Sequence, residues 1–120
     1  MTQMNMTINV RKAAGMTSIV DIKGEITSAA ENMLMDAYTQ AVTQGARNIV
    51  LNFKDLEYMN SSGIGLLVTL LIRTRRQQHH LIACGLSEHY RQIFELTRLN
   101  DAIAIYPNEA DALRALETVN

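Results

Sequence analysis

The chain has 120 residues, enough for one ordinary domain and too few for two. Hydrophobic residues make up 48% and charged residues 19%, which excludes a disordered, highly charged chain. A formal net charge of -1, from 11 basic and 12 acidic residues, leaves no electrostatic footprint for nucleic acid or an anionic membrane. The one cysteine rules out an internal disulfide and suits a reducing compartment. The start has no basic-then-apolar signal pattern, and no apolar run approaches the roughly 18 residues of a membrane span. A cytoplasmic protein without membrane insertion is expected.

Met4, Met6, Ile8 and Val10 alternate with Asn5, Thr7 and Asn9, the period of a half-buried strand. Arg11 to Gly15 reads as a turn and Thr17 to Lys23 as a second strand, so the two form a hairpin that Gly24 ends. Ser28-Ala-Ala-Glu31 has the spacing of a capping box. Leu34, Ala37, Tyr38, Ala41 and Val42 then recur at helical spacing, with Gly45 as the stop. Asn48 to Phe53 is a nearly continuous apolar run, the mark of a strand covered on both faces. Lys54 to Glu57 reads as a polar turn. A second helix follows, from Asn60-Ser61-Ser62-Gly63 to about Gln77. Leu81 to Cys84 is another buried strand. Ser87 caps a third helix to about Leu99, Ala102 to Tyr106 is the last strand, and Asn108 caps a helix over Ala110 to Val119.

This order predicts a single α/β domain over residues 1–120. About five strands, an N-terminal hairpin plus parallel strands joined by helical crossovers, form a mixed sheet packed with about four helices.

In parallel sheets, functional sites collect where strand carboxyl ends meet helix starts. Asn60 and Ser61 are both good N-cap residues, and Gly63 and Gly65 let backbone and partner approach closely. Such a helix start favours negative charge, so a phosphoryl group on Ser61 would be tolerated by the fold and disruptive to a docked partner. Plain capping of a loop-to-helix junction accounts for the same spacing.

Tyr58-Met-Asn-Ser-Ser-Gly-Ile-Gly-Leu66 resembles the signature of anti-sigma factor antagonists, bacterial members of the STAS domain family. Gly24-Glu25-Ile26 is similar to the Gly-Glu-Leu that precedes the first helix in that family, and the order of elements is similar across nearly the whole chain. The resemblance implies a partner-switching protein. It would bind an anti-sigma factor that is also a serine kinase, lose affinity once the first serine of the motif is phosphorylated, and be reset by a metal-dependent serine phosphatase. Carried over, Ser61 is the phosphoacceptor and Ser62 its neighbouring hydroxyl. Two positions depart from the family pattern: Asn60 and Thr27 stand where aspartates are usual. Both shape the site without a carboxylate.

On the second helix, Ile64, Leu67, Val68, Leu71 and Ile72 are assigned to the sheet-facing side. Gly65, Leu66, Thr69, Leu70 and Arg73 are assigned to the other. Leu66 and Leu70, with Ile64, are therefore expected to contact the partner. Neither a catalytic residue, a metal site nor a cofactor is expected. His79 and His80 are adjacent, so their side chains point apart; His89 is a solvated helix histidine; Cys84 is a small buried hydrophobe. Arg73, Arg75 and Arg76 read as a solvated helix end. The chain is taken as a monomer or weak dimer. Two alternatives stay open: a constitutive STAS interaction or scaffold subunit, stress-signalling or transporter-associated, and a small-molecule or nucleotide binder using the same helix start.

Overall fold

The computed structural model describes residues 5–117. Its sheet has five strands in the order β1 (Met6–Ala13), β2 (Thr17–Ile26), β3 (Asn48–Met59), β4 (His80–Cys84) and β5 (Ala104–Tyr106). β1 and β2 are antiparallel and every later pair is parallel. The helices are α1 (Glu31–Thr43), α2 (Ser61–Arg76), α3 (Glu88–Leu96) and α4 (Glu109–Glu117), with short 3-10 turns at Ser28–Ala30 and Leu99–Asp101. The expected fold class and element order hold. Met4 and Val119, assigned to terminal elements from the sequence, lie outside the described residues.

Alternation along the strands sorts side chains into two cores. Val20, Ile22, Ile49, Leu51, Phe53, Leu81 and Ala83 face α1, α2 and α3. Ile19, Val50, Ile82 and Cys84 face α4 through Ala112, Leu113 and Leu116. The strands are apolar on both faces because both faces carry helices.

Several boundaries differ from the sequence reading. β1 runs through Arg11 to Ala13, and the turn is confined to residues 14–16, where Gly15 and Met16 take positive φ. Arg11 stays extended because it bridges two carboxylates: its guanidinium donates to Asp21 on β2 (2.9 Å) and to Glu109 on α4 (2.6 Å). β2 does not end at Gly24. It passes through a register shift there, with Gly24 at φ 99 against the Asn5 carbonyl, and continues to Ile26. Ser28 is not the cap; Thr27 Oγ1 accepts from Ala29 N (3.3 Å) and opens the 3-10 turn instead.

Lys54–Glu57 is strand, not turn. β3 extends twelve residues and pairs with β2 as far as Met59. Lys54, Asp55 and Glu57 are exposed there because β4 leaves β3 after Asn52, while Leu56 between them packs against the core. β5 starts at Ala104 rather than Ala102, and α3 ends at Leu96, before Leu99.

The register of α2 is the main correction. Leu66 and Leu70 are 8% and 1% exposed and belong to the core, whereas Val68 and Ile72 are 37% and 48% exposed. The inward face is Gly63, Leu66, Leu67, Leu70, Leu71 and Thr74. Apolar residues occur all round this helix, so periodicity alone could not select a face. Gly63 selects it, as described below. Leu66 and Leu70 are therefore not solvent-facing contacts.

Replacing Leu66 with Glu should unfold or severely destabilise the protein, and Leu67→Ala should cost about 2–5 kcal/mol in urea unfolding. The Arg11 guanidinium holds the Asp21 carboxyl below its ordinary value, with Asn52 adding a hydrogen bond. The stability from Asp21 is thus fully present above the unfolded-state value and is lost as pH falls through the lower folded one. Asp21→Asn should flatten the fall in stability below about pH 4, read from urea midpoints across pH.

Candidate functional site

The site is built where two strand ends meet α2. Ile26 and Met59 are paired at the ends of β2 and β3, so Thr27 and Asn60 leave the sheet side by side. Asn60 N donates to the Ile26 carbonyl (3.3 Å). Asn60 then caps α2: its Oδ1 accepts from Gly63 N (2.9 Å), and its carbonyl accepts from Ile64 N (3.0 Å). Met59 N donates to the buried Tyr90 hydroxyl (2.8 Å), which ties the strand end to α3.

Gly63 explains why α2 sits where it does. A Cβ there would run into the Ile26 carbonyl and within 2.8 Å of Met59 Cγ. The first turn is pressed onto the end of β2 at a distance only glycine allows. This contact sets the rotation of the helix. Gly63 marks the inward meridian, and at 100° per residue Ser61, Gly65, Val68 and Ile72 share the opposite side, with Ile64 on the flank between. Ser61, Ser62 and Gly65 are exposed, and Ile64 is half-buried.

The structure thus brings Thr27, Asn60, Ser61, Ser62 and Gly63 to one rim, with Ile64 and Gly65 one turn along. Leu66 and Leu70 point away into the core. Sequence reasoning missed Val68 and Ile72, which extend an exposed apolar stripe from Ser61 down the helix, and Tyr58, 48% exposed on the adjoining strand end. The sequence offers two glycines near the helix start, and only the structure shows that Gly63 rather than Gly65 marks the closest contact, with the stripe opposite it.

Electrostatically the rim is an acceptor of negative charge. Ser61 and Ser62 lie in the first turn, where backbone N–H groups lack intrahelical acceptors and the helix dipole is positive. Among the described residues no acidic or basic side chain is hydrogen-bonded to either hydroxyl. The serines are presented to an outside molecule rather than activated from within.

The STAS domain model matches residues 7–112. The chain is 26% identical over 118 residues to the anti-sigma F factor antagonist of Paenibacillus polymyxa, covering 98% of this chain and 100% of that protein. It is 29% identical over 86 residues to the anti-sigma-B factor antagonist of Staphylococcus aureus, covering 72% and 80%. Its fold is similar to that of the Bacillus cell fate determinant SpoIIAA in its phosphorylated form, with a TM-score of 0.70, 21% identity and coverage of 92% and 99%.

Asn60→Ala should cost about 1 kcal/mol by removing the cap. Gly63→Ala should cost about 1–3 kcal/mol, because α2 must lift off the strand ends. Urea unfolding ranks the two.

Proposed function

The chain belongs to the STAS domain family, and on that premise we propose that it is an anti-sigma factor antagonist, a regulatory binding protein rather than a catalyst. It works in the cytoplasm, where it docks on an anti-sigma factor that is also a serine kinase and releases a sigma factor for transcription. The kinase transfers the γ-phosphoryl group of ATP to Ser61 Oγ, the serine proton leaves, and docking is lost. A serine phosphatase hydrolyses the ester and restores binding.

The observation that carries this reading is the exposed Ser61 on the apolar stripe of α2. Ile64, Val68 and Ile72 offer a partner β-branched surface of modest size, and Ser61 lies within it. A phosphoryl group adds about -1.5 to -2 charges there. The fold accommodates that charge at the helix N-terminus, but an apolar contact cannot bury it. The relatives support the antagonist role by their names, and the phosphorylated state of SpoIIAA supports a phosphoryl group within this fold.

A second reading, a constitutive interaction module, draws on Asn60 and Thr27, which leave the rim without the carboxylates the resemblance leads one to expect. Such a module would bind its partner regardless of phosphate on Ser61.

Intact-mass analysis and fragment mapping of the protein from its native host separates these readings. The switch requires a phosphoryl mass on Ser61 under some growth or stress condition; unmodified protein under all of them favours the constitutive module. Val68→Glu and Ile72→Glu should each weaken capture of the anti-sigma partner about tenfold or more while leaving the urea midpoint within about 0.5 kcal/mol.

A further inference from the structure

The opposite end of α2 carries a second constellation, about 24 Å from Ser61 along the helix axis. The buried Tyr38 of α1 donates its hydroxyl proton to Gln77 Oε1 (2.6 Å) and lies 2.6 Å from His79 Nδ1. With that one proton committed, the phenolic oxygen accepts from Nδ1–H of His79. The imidazole meets the Tyr38 ring edge-on, with centroids 5.8 Å apart, and the Arg73 guanidinium stands 5.2 Å from the centre of the same phenol ring. Burial pushes the Tyr38 hydroxyl up, so it stays protonated. His79 is thereby fixed from behind, which leaves Nε2 as the ring nitrogen available to a ligand.

His79 and Gln78 form a ridge between two shallow grooves. One, of about 400 Å³, is lined by Arg47, Gly45 and Gln77; the other, of about 280 Å³, by Arg75, His80 and Thr74. Neither groove has a carboxylate in its lining. Gln78 takes a positive φ of 60° to form the ridge. Among the described residues, the charged and titratable groups lining the grooves beside the imidazole are Arg47, Arg75 and His80, with Arg73 and Tyr38 behind.

We propose that this pole binds a phosphate-type dianion, free or as a small phosphate ester, seated on the His79 ridge between Arg47 and Arg75. Protonated His79 donates Nδ1–H to Tyr38 and Nε2–H to the anion, and the two guanidiniums supply charge-assisted hydrogen bonds from the flanks. Arg75 and the paired histidines, bland as a helix end in the sequence, acquire a common purpose here. This inference is independent of the Ser61 switch.

The test is an amide NMR titration of the isotope-labelled full chain with sodium sulfate and sodium phosphate at about pH 6. Sodium chloride at matched ionic strength is the control. Saturable shifts centred on Arg47, Gln78 and His79, weakened about tenfold in Arg47→Gln and again in His79→Gln, are the expected result. Arg47 and Arg75 are exposed, so Arg47→Gln and Arg75→Gln should leave the rest of the spectrum unchanged and serve as variants that fold. Shifts reproduced by chloride, shifts that never saturate, or a response centred on Asn60 to Gly63 would overturn the site. Compared at equal concentration of the dianion, a small ester such as glycerol phosphate binding more tightly than free phosphate would identify the ester as the ligand form; equal affinity would assign the free ion.

Discussion

The contact on which the rest depends is the approach of Gly63 to the Ile26 carbonyl. One missing side chain lets the first turn of α2 rest on the end of β2. From that seat follow the rotation of the helix, the burial of Leu66, Leu67, Leu70 and Leu71, and the outward placing of Ser61 and the stripe below it. Asn60 secures the same junction by a cap and a backbone bond to β2. Stability and presentation of the site therefore come from one set of atoms. A change that loosens the seat would disturb function without touching the serine.

The second face of the sheet is held more sparingly. α4 is the one helix packed there among the described residues, and Arg11 joins it to the hairpin through Glu109 and Asp21. Asn52 and the Cys84 thiol continue this polar chain beneath α4, and burial pushes that thiol up to about 11. Its chemistry is that of a small buried hydrophobe with a weak donor, far from a reactive thiolate.

How much of this could be read from residues alone depends on what the residues decide locally. Strand and helix order was legible, because alternation, apolar runs and caps at Asn60, Ser87 and Asn108 are local signals. The helix start at Asn60 to Gly63 was legible too, because a cap followed by glycine after a buried strand is a local signal, though plain capping gives the same signal. The length of β3 was not. Lys54 to Glu57 look like a turn because nothing in their composition reveals that β2 pairs with them after a register shift. The outward face of α2 was lost for a related reason. A helix apolar on every side has no preferred meridian until a neighbour is specified, and that neighbour, the Ile26 carbonyl, lies 37 residues before Gly63. The tie between Tyr38 and His79 likewise joins α1 to the turn after α2, beyond any local pattern.

The central claim is that charge on Ser61 decides whether the α2 stripe can dock. The most direct measurement is the affinity of the native host's anti-sigma kinase for this protein, unmodified and stoichiometrically phosphorylated on Ser61, by calorimetry under one buffer condition. The account predicts a loss of about a hundredfold or more on phosphorylation, since a charge placed in an apolar contact costs several kcal/mol. Equal affinity of the two forms would contradict it and leave the stripe as a docking surface without a switch.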